Sequence, residues 1–331
     1  MAQFTRLGDA ELADLAETFA LGALRSARAI ADGTINSNFA VETERGAWFM
    51  RVNEGKSEAD VAWEAQLVAA LAAGGVVTPP PVLARDGRPY APLAGTDKWV
   101  SVFAWRAGRH LGPDQITVEI AGEIGAALAT LHGTALALPA SWRRRSIYDH
   151  EHLVARYATF AANPDPELAR AQHVLGEELA AAGAAAATRA GATHGIIHGD
   201  LFRDNVLWEA GRLVAILDFE QASGGSLAYD LAVCLNDWCW IPHPGTSPDG
   251  VVRRELARAV LAGYQRVRPL TAADREALVV EVRAAAARFT ITRITDVYLA
   301  RVPNPEKDFR AFLARCDAWR GPALGQLSLL L

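Results

Sequence analysis

The feature that most restricts this chain is a change of texture near residue 105. Up to that point short apolar stretches alternate with tight polar turns, and beyond Gly108 apolar residues recur at helical spacing over long runs. The pattern predicts an α+β, two-lobed architecture. A small β-rich lobe with an antiparallel sheet spans residues 1–104, and a larger, mostly helical lobe spans 105–331. In the first lobe, Asp9 is placed to cap a helix carrying Leu12, Leu15, Ala16 and Phe19. Strands near 27–31, 38–43 and 47–52 follow, joined by Asp32-Gly33 and Glu44-Arg45-Gly46, and this reads as an antiparallel meander. Ser57 opens a helix to about Ala73, Asp86-Gly87 is a hairpin turn, and Trp99 to Trp105 is a further strand. The second lobe carries helical patterns near 114–134, 150–161, 165–190, 248–265, 272–300 and 306–319, interrupted by a strand-rich island at 194–219.

Composition narrows the function classes. Hydrophobic residues make up 51% of the 331 positions and charged residues 21%, which supports a sizeable core and excludes disorder. A net charge of -5 lacks the basic footprint of a nucleic-acid binder. Cys234, Cys239 and Cys316 are too few for a disulfide scaffold and lack zinc-ligand spacing. The start of the chain does not have the layout of a signal peptide, and no uncharged apolar run reaches the ~18–20 residues of a membrane span. A cytoplasmic protein acting on a small molecule, without nucleic-acid or membrane partners, is the expectation.

The chemistry lies in the island. His198-Gly199-Asp200-Leu201-Phe202-Arg203-Asp204-Asn205-Val206-Leu207-Trp208 sets a tight polar loop between apolar stretches, and Leu213-Val214-Ala215-Ile216-Leu217 is an apolar strand that ends in Asp218. Asp200, Asn205 and Asp218 can therefore converge, and three hard oxygen donors suit Mg2+ completed by water and phosphate. Phosphoryl transfer requires this division of labour: one Asp for the acceptor hydroxyl, and an Asn and a second Asp for metal on a triphosphate. The spacing His-x-Asp-x-x-x-x-Asn, followed by a strand ending in Asp, matches a kinase catalytic loop.

At these residues the chain resembles the aminoglycoside phosphotransferase and choline kinase superfamily, with its protein-kinase-like fold. Within it, the chain resembles the type II homoserine kinases. The narrower likeness rests on Asp200-Leu201-Phe202-Arg203-Asp204-Asn205 and on Tyr229-Asp230-Leu231-Ala232-Val233-Cys234-Leu235-Asn236-Asp237-Trp238-Cys239. Supporting likenesses are Gly33-Thr34-Ile35-Asn36-Ser37-Asn38-Phe39 and the run from Arg288-Phe289 to Arg293-Ile294-Thr295-Asp296. Gly199 is a departure, because homoserine kinases often carry Ala there. The resemblance implies that Asp200 is the catalytic base, that Asn205 and Asp218 bind Mg2+, that His198 braces the loop, and that Asp230 ties the loop down through its backbone amides.

The resemblance also implies ATP as cofactor, lying between the lobes. Ser37 and Asn38 follow a glycine turn that can approach phosphates. The strand position at which kinases carry a phosphate-binding Lys holds Arg51; Lys56 is the alternative, and Glu64 on the next helix is the candidate partner. Adenine is expected near Ala104 and Arg106, at the lobe boundary. For the acceptor, a carboxylate asks for Arg and an amine asks for an acid. Arg203, Arg288 and Arg293 stand on one side and Asp230, Asp237 and Asp296 on the other, with Arg203, Asp237, Trp238 and Arg293 the chosen contacts. The implied activity is phosphorylation of homoserine to O-phosphohomoserine in threonine biosynthesis. The alternatives are an aminoglycoside, choline or another amino alcohol as acceptor, and a non-catalytic kinase-like binding protein.

Overall fold

A computed structural model describes residues 5–30, 36–242 and 250–331. The Asp32-Gly33-Thr34-Ile35 part of the first turn lies outside the described residues. The chain divides into two compact units, residues 1–109 with 214–220 and residues 110–213 with 221–331.

The smaller unit begins with α1 (Asp9–Thr18). Gly8 rather than Asp9 holds the cap position, and its amide donates to Glu11 Oε2 at 2.8 Å. A five-stranded antiparallel sheet follows: β1 (Leu24–Ile30), β2 (Ser37–Thr43), β3 (Gly46–Asn53), β4 (Ala91–Pro92) and β5 (Trp99–Ala104), in the order β1-β2-β3-β5-β4. The β2–β3 turn works because Gly46 takes a φ of +141°, which a side chain would resist. Alternation along β2 sends Phe39 and Val41 to one face. There they pack with Met50, Val52, Val100, Val102, Leu12 and Phe19 as the core of this unit. α2 (Glu58–Ala73) starts where the Ser57 hydroxyl accepts the Asp60 amide at 3.2 Å.

The larger unit is mostly helical. Its helices are α3 (Val118–Leu136), α4 (His150–Ala158), α5 (Ala169–Ala184), α6 (Ala186–Gly191), α7 (Leu227–Trp238), α8 (Arg254–Val267), α9 (Ala272–Arg293), α10 (Phe309–Arg320) and α11 (Pro322–Ser328). Its short strands are β6 (His194–Ile197), β7 (Val206–Glu209), β9 (Ser223–Ser226), β10 (Trp240–Pro242) and β11 (Gly250–Val252), while β8 (Arg212–Ile216) runs across the division between units. α3 and α8 cross at glycines: a Cβ on Gly125 would stand 2.1 Å from the Val260 carbonyl oxygen, so only a bare backbone fits. Buried Asn236 joins three helices. Its Nδ2 donates to the Val282 carbonyl of α9 at 2.9 Å, and its Oδ1 accepts Trp319 Nε1 of α10 at 2.9 Å. β6 pairs antiparallel with β9, and the Leu227 amide donates to the Thr193 carbonyl at 2.9 Å, which fixes the start of α7 beside the entry to β6. Among the described residues, no helix is long and apolar enough to cross a membrane.

Candidate active site

The loop after β6 turns at Gly199, whose φ is +76° and where an added Cβ would come within 3.3 Å of the Gln221 carbonyl oxygen. That turn aims the amides of His198 and Gly199 at one carboxylate: they donate to Asp230 Oδ2 and Oδ1, each at 2.8 Å. Asp230 is 0% exposed in the first turn of α7. It also contacts His132 Nε2 at 3.0 Å, and His132 Nδ1 lies 2.8 Å from the Tyr264 hydroxyl. Burial pushes the Asp230 carboxyl up, but the His132 hydrogen bond and charge, His198 and the Gly199 amide outweigh it and hold it below the usual carboxylate range.

Further bonds fix the rest of the loop. The Asp200 amide donates to Nδ1 of buried His198 at 3.2 Å, Asn205 Nδ2 donates to the Asp200 carbonyl at 2.7 Å, and Trp238 Nε1 donates to the Leu201 carbonyl at 2.9 Å. With its backbone held, the loop presents the Asp200 carboxylate to Gln221 Nε2 at 3.1 Å and to Arg288 Nη1 at 3.6 Å.

Asp218 stands two residues beyond β8 and is exposed, with a φ of +61°. A non-glycine residue in the left-handed region carries a strain that functional sites often hold. Within the same unit, Arg51 on β3 and Glu64 on α2 form a buried pair at 2.7 Å. Burial lowers the Arg51 pKa, but Glu64, Asp218 and Glu220 together lift it above the ordinary arginine value. Lys56 Nζ lies 3.8 Å from Glu220, which also accepts Asn36 Nδ2 at 2.9 Å. Asn38 stands opposite Arg51 in the β2–β3 register. Ser37 differs from its expected role as a phosphate contact. It is 2% exposed, and its hydroxyl donates to Glu54 Oε1 at 2.7 Å while accepting the Thr5 amide at 2.9 Å, so both capacities are used inside the unit. Ala104 is the last residue of β5, and Arg106, two residues on, is exposed.

Two acceptor expectations need correction. Trp238 is 0% exposed and bonded to the loop backbone, so it supports the loop and cannot touch a ligand. Arg203 and Asp237, chosen for opposite ends of an acceptor, hold each other in a two-point fork, Nε to Oδ2 at 3.0 Å and Nη2 to Oδ1 at 3.2 Å, with the Arg203 amide adding a third bond at 2.9 Å. Arg293 donates Nη1 to the Asp308 carbonyl at 3.1 Å and stacks on Phe312. Burial pushes its pKa down to about 10 against the pull of Asp237, Asp204, Asp200 and Asp308. Buried Arg315, which the motifs did not single out, lies against Phe312 and close enough to Asp237 to feel its charge. Its Nε and Nη1 have no hydrogen-bond partner, and burial pushes its pKa down to about 9. Gln221 was equally invisible in the sequence, because the turn that aims it at Asp200 exists only after folding.

Residues 26–270 match the profile of the phosphotransferase enzyme family. The chain belongs to this family. Among curated proteins it is similar to the homoserine kinases of Methylobacterium radiotolerans (35% identical, over 89% of this chain and 88% of the relative), Gluconacetobacter diazotrophicus (34%, over 89% of each) and Acidiphilium cryptum (36%, over 89% of each). Among solved structures it is similar in fold to an amicoumacin kinase in complex with AMP-PNP, Ca2+ and Ami, with a TM-score of 0.71 at 17% identity over 93% of this chain and 92% of that one. A spectinomycin phosphotransferase in complex with ADP and its antibiotic gives a TM-score of 0.65 at 16% identity over 99% of this chain and all of that one.

As a member of this phosphotransferase family with a protein-kinase-like fold, the chain is an ATP-dependent enzyme that phosphorylates a hydroxyl of a small molecule. Asn205 and Asp218 offer one amide and one carboxylate oxygen and no soft ligand. Asn205 lies in the larger unit and Asp218 in the smaller, and each is an oxygen donor of the kind that suits a hard divalent cation.

Proposed function

We propose that this phosphotransferase transfers the γ-phosphoryl group of ATP to the hydroxyl of homoserine. The observation that carries the acceptor reading is a buried arginine beside the catalytic loop, Arg315, whose Nε and Nη1 have no hydrogen-bond partner. Arg203 holds Asp237 with three hydrogen bonds, and Arg315 lies close enough to feel the same charge. An arginine with unpaired donors favours an acceptor that carries a carboxylate. The names and coverage of the homoserine kinase relatives support the same choice.

In the proposed reaction Asp200 orients the hydroxyl for in-line attack. The acceptor oxygen bonds to the γ-phosphorus as the bond to the β-bridging oxygen breaks, ADP leaves, and the hydroxyl proton passes to Asp200. Asn205 and Asp218 would hold Mg2+, which supplies charge neutralisation on the triphosphate. Arg51, fixed by Glu64, is favoured over Lys56 as the phosphate cation. Asn38, Ala104 and Arg106 remain the proposed nucleotide contacts, and His198 and Asp230 hold the loop. The acceleration comes from positioning and electrostatics.

The test is ADP release by the purified enzyme with homoserine, 3-amino-1-propanol, choline and an aminoglycoside. Homoserine is expected to give the highest kcat/KM, and 3-amino-1-propanol, which is homoserine without its carboxylate, a value at least ~100-fold lower. Equal rates for these two, preference for the aminoglycoside, or silence with every acceptor would overturn the assignment.

A further inference from the structure

Among the described residues, both partners of the Asp200 carboxylate lie outside its own loop, and they are joined to each other. Gln221 Nε2 donates to Oδ2 at 3.1 Å. Arg288, on α9, places Nη1 3.6 Å from Oδ1, and its Nη2 donates to Gln221 Oε1. The three side chains therefore form a closed ring of contacts. The amide of Gln221 has one sensible orientation in that ring, oxygen to the guanidinium and nitrogen to the carboxylate.

Arg288 is unusually well fixed for a long side chain. It is 2% exposed, with Cζ 4.0 Å from the Tyr148 ring centre and 3.7 Å from that of Phe289. An ordinary helix-face pairing for it, with Glu281 or Asp296, does not occur: Glu281 pairs with Arg189 and Asp296 with Arg156. The two oxygens of Asp200 are also treated differently. Oδ2 accepts a normal hydrogen bond, whereas Arg288 faces Oδ1 from beyond hydrogen-bond range. It attracts that oxygen without occupying the lone pairs that an incoming hydroxyl needs.

We propose that Arg288 and Gln221 act as one positioning unit that fixes the Asp200 carboxylate and leaves Oδ1 for the acceptor hydroxyl. The proposal rests on the role of Asp200 given above. A guanidinium this close to the reacting oxygen could instead receive the carboxylate of the acceptor. The kinetic signatures differ, because a positioning unit acts on kcat and a substrate contact on KM.

The experiment uses the full-length enzyme and its Arg288→Lys, Arg288→Met, Gln221→Leu and Arg288→Met/Gln221→Leu variants, with Asp200→Asn as reference. kcat, KM for homoserine, KM for ATP and thermal midpoint are measured for each. Arg288→Met is expected to lower kcat about 100-fold with both KM values within about threefold of wild type. Gln221→Leu should lower kcat about tenfold, and Arg288→Lys should recover a substantial part of the Met loss because a cation returns to Oδ1. The double variant should lose little more than Arg288→Met alone, since both changes break one unit. A rise in KM for homoserine at unchanged kcat would overturn the proposal and make Arg288 a substrate contact. Fully additive losses in the double variant would overturn it too. If Arg288→Met does not fold, the Gln221→Leu and Arg288→Lys pair decides by the same split. An active Asp200→Asn variant, or a wild type silent on homoserine, would instead sink the underlying functional reading.

Discussion

Asp230 shows how one side chain can set a site it never touches. Its two oxygens take the amides of His198 and Gly199, and His132 reaches it from α3. An Asn there would present an oxygen to one amide and its own N–H2 to the other, leaving a buried donor without an acceptor. Asp230→Asn is therefore expected to cost about 2–3 kcal/mol in urea unfolding. It should also lower kcat more than it raises KM for ATP, because the loop that carries Asp200 loosens. A variant with wild-type stability and turnover would contradict this account. At this scale, residues whose roles depend on the chain beside them were legible in the sequence. The spacing from His198 to Asn205 is written locally, and so is the place of Asp230 at a helix start. Ser37 and Trp238 were misassigned because spelling does not report burial: each sits next to a motif residue but faces inward. Arg288 and Gln221 are 67 positions apart and meet only through the tertiary fold.

Helices were legible where one face is apolar and the other polar, as in α8, or where the ends are marked, as Ser57 and Gly74 mark α2. In α7 every residue except Tyr229 is buried, so its polar residues Asp230, Asn236 and Asp237 serve as buried partners and not as a solvent face. Element ends depend on smaller signals that can be tested one at a time. The Asp149 carboxylate caps α4, accepting the His152 amide at 3.0 Å and pairing with Arg145 and the His152 ring. Partial burial pushes this carboxyl up, but Arg145 and His152 outweigh it and bring its pKa from 3.8 to about 2. A depressed carboxyl stabilises the fold above its unfolded pKa, and that contribution is lost as pH falls through the folded one. Asp149→Ala should thus cost about 1 kcal/mol at pH 5, with the gap to wild type shrinking steadily between pH 4 and pH 2. Thermal melts of both proteins across that range check the sign. A gap that widened on acidification would contradict it.

For the whole molecule, the division into units follows contacts rather than chain order. A reading along the sequence places a boundary near 104 because the texture changes there. It cannot see that 214–220 belongs with the first hundred residues, an association made by pairings such as the Ile216 amide on the Val77 carbonyl at 2.7 Å. Asp218 travels with that segment, and this permits a test of the proposed metal role that reads the stability of the whole chain. A ligand that binds only the folded protein stabilises it by about 2.7 kcal/mol at 100 times its Kd. A non-hydrolysable ATP analogue with Mg2+ should therefore raise the thermal midpoint of wild type clearly more than the analogue does with the metal chelated. Asp218→Asn is the informative variant, because Asn tolerates a φ of +61° as readily as Asp and the side chain is exposed. The ligand-free midpoint should fall only modestly, because the amide keeps the backbone conformation and gives up the charge that Arg51 feels. The Mg2+-dependent part of the analogue's stabilisation should disappear, because the amide brings no charge to the cation. An unchanged Mg2+-dependent increment in Asp218→Asn would remove this residue from the metal site, and with it the reading of 198–218 as one catalytic and metal-binding segment.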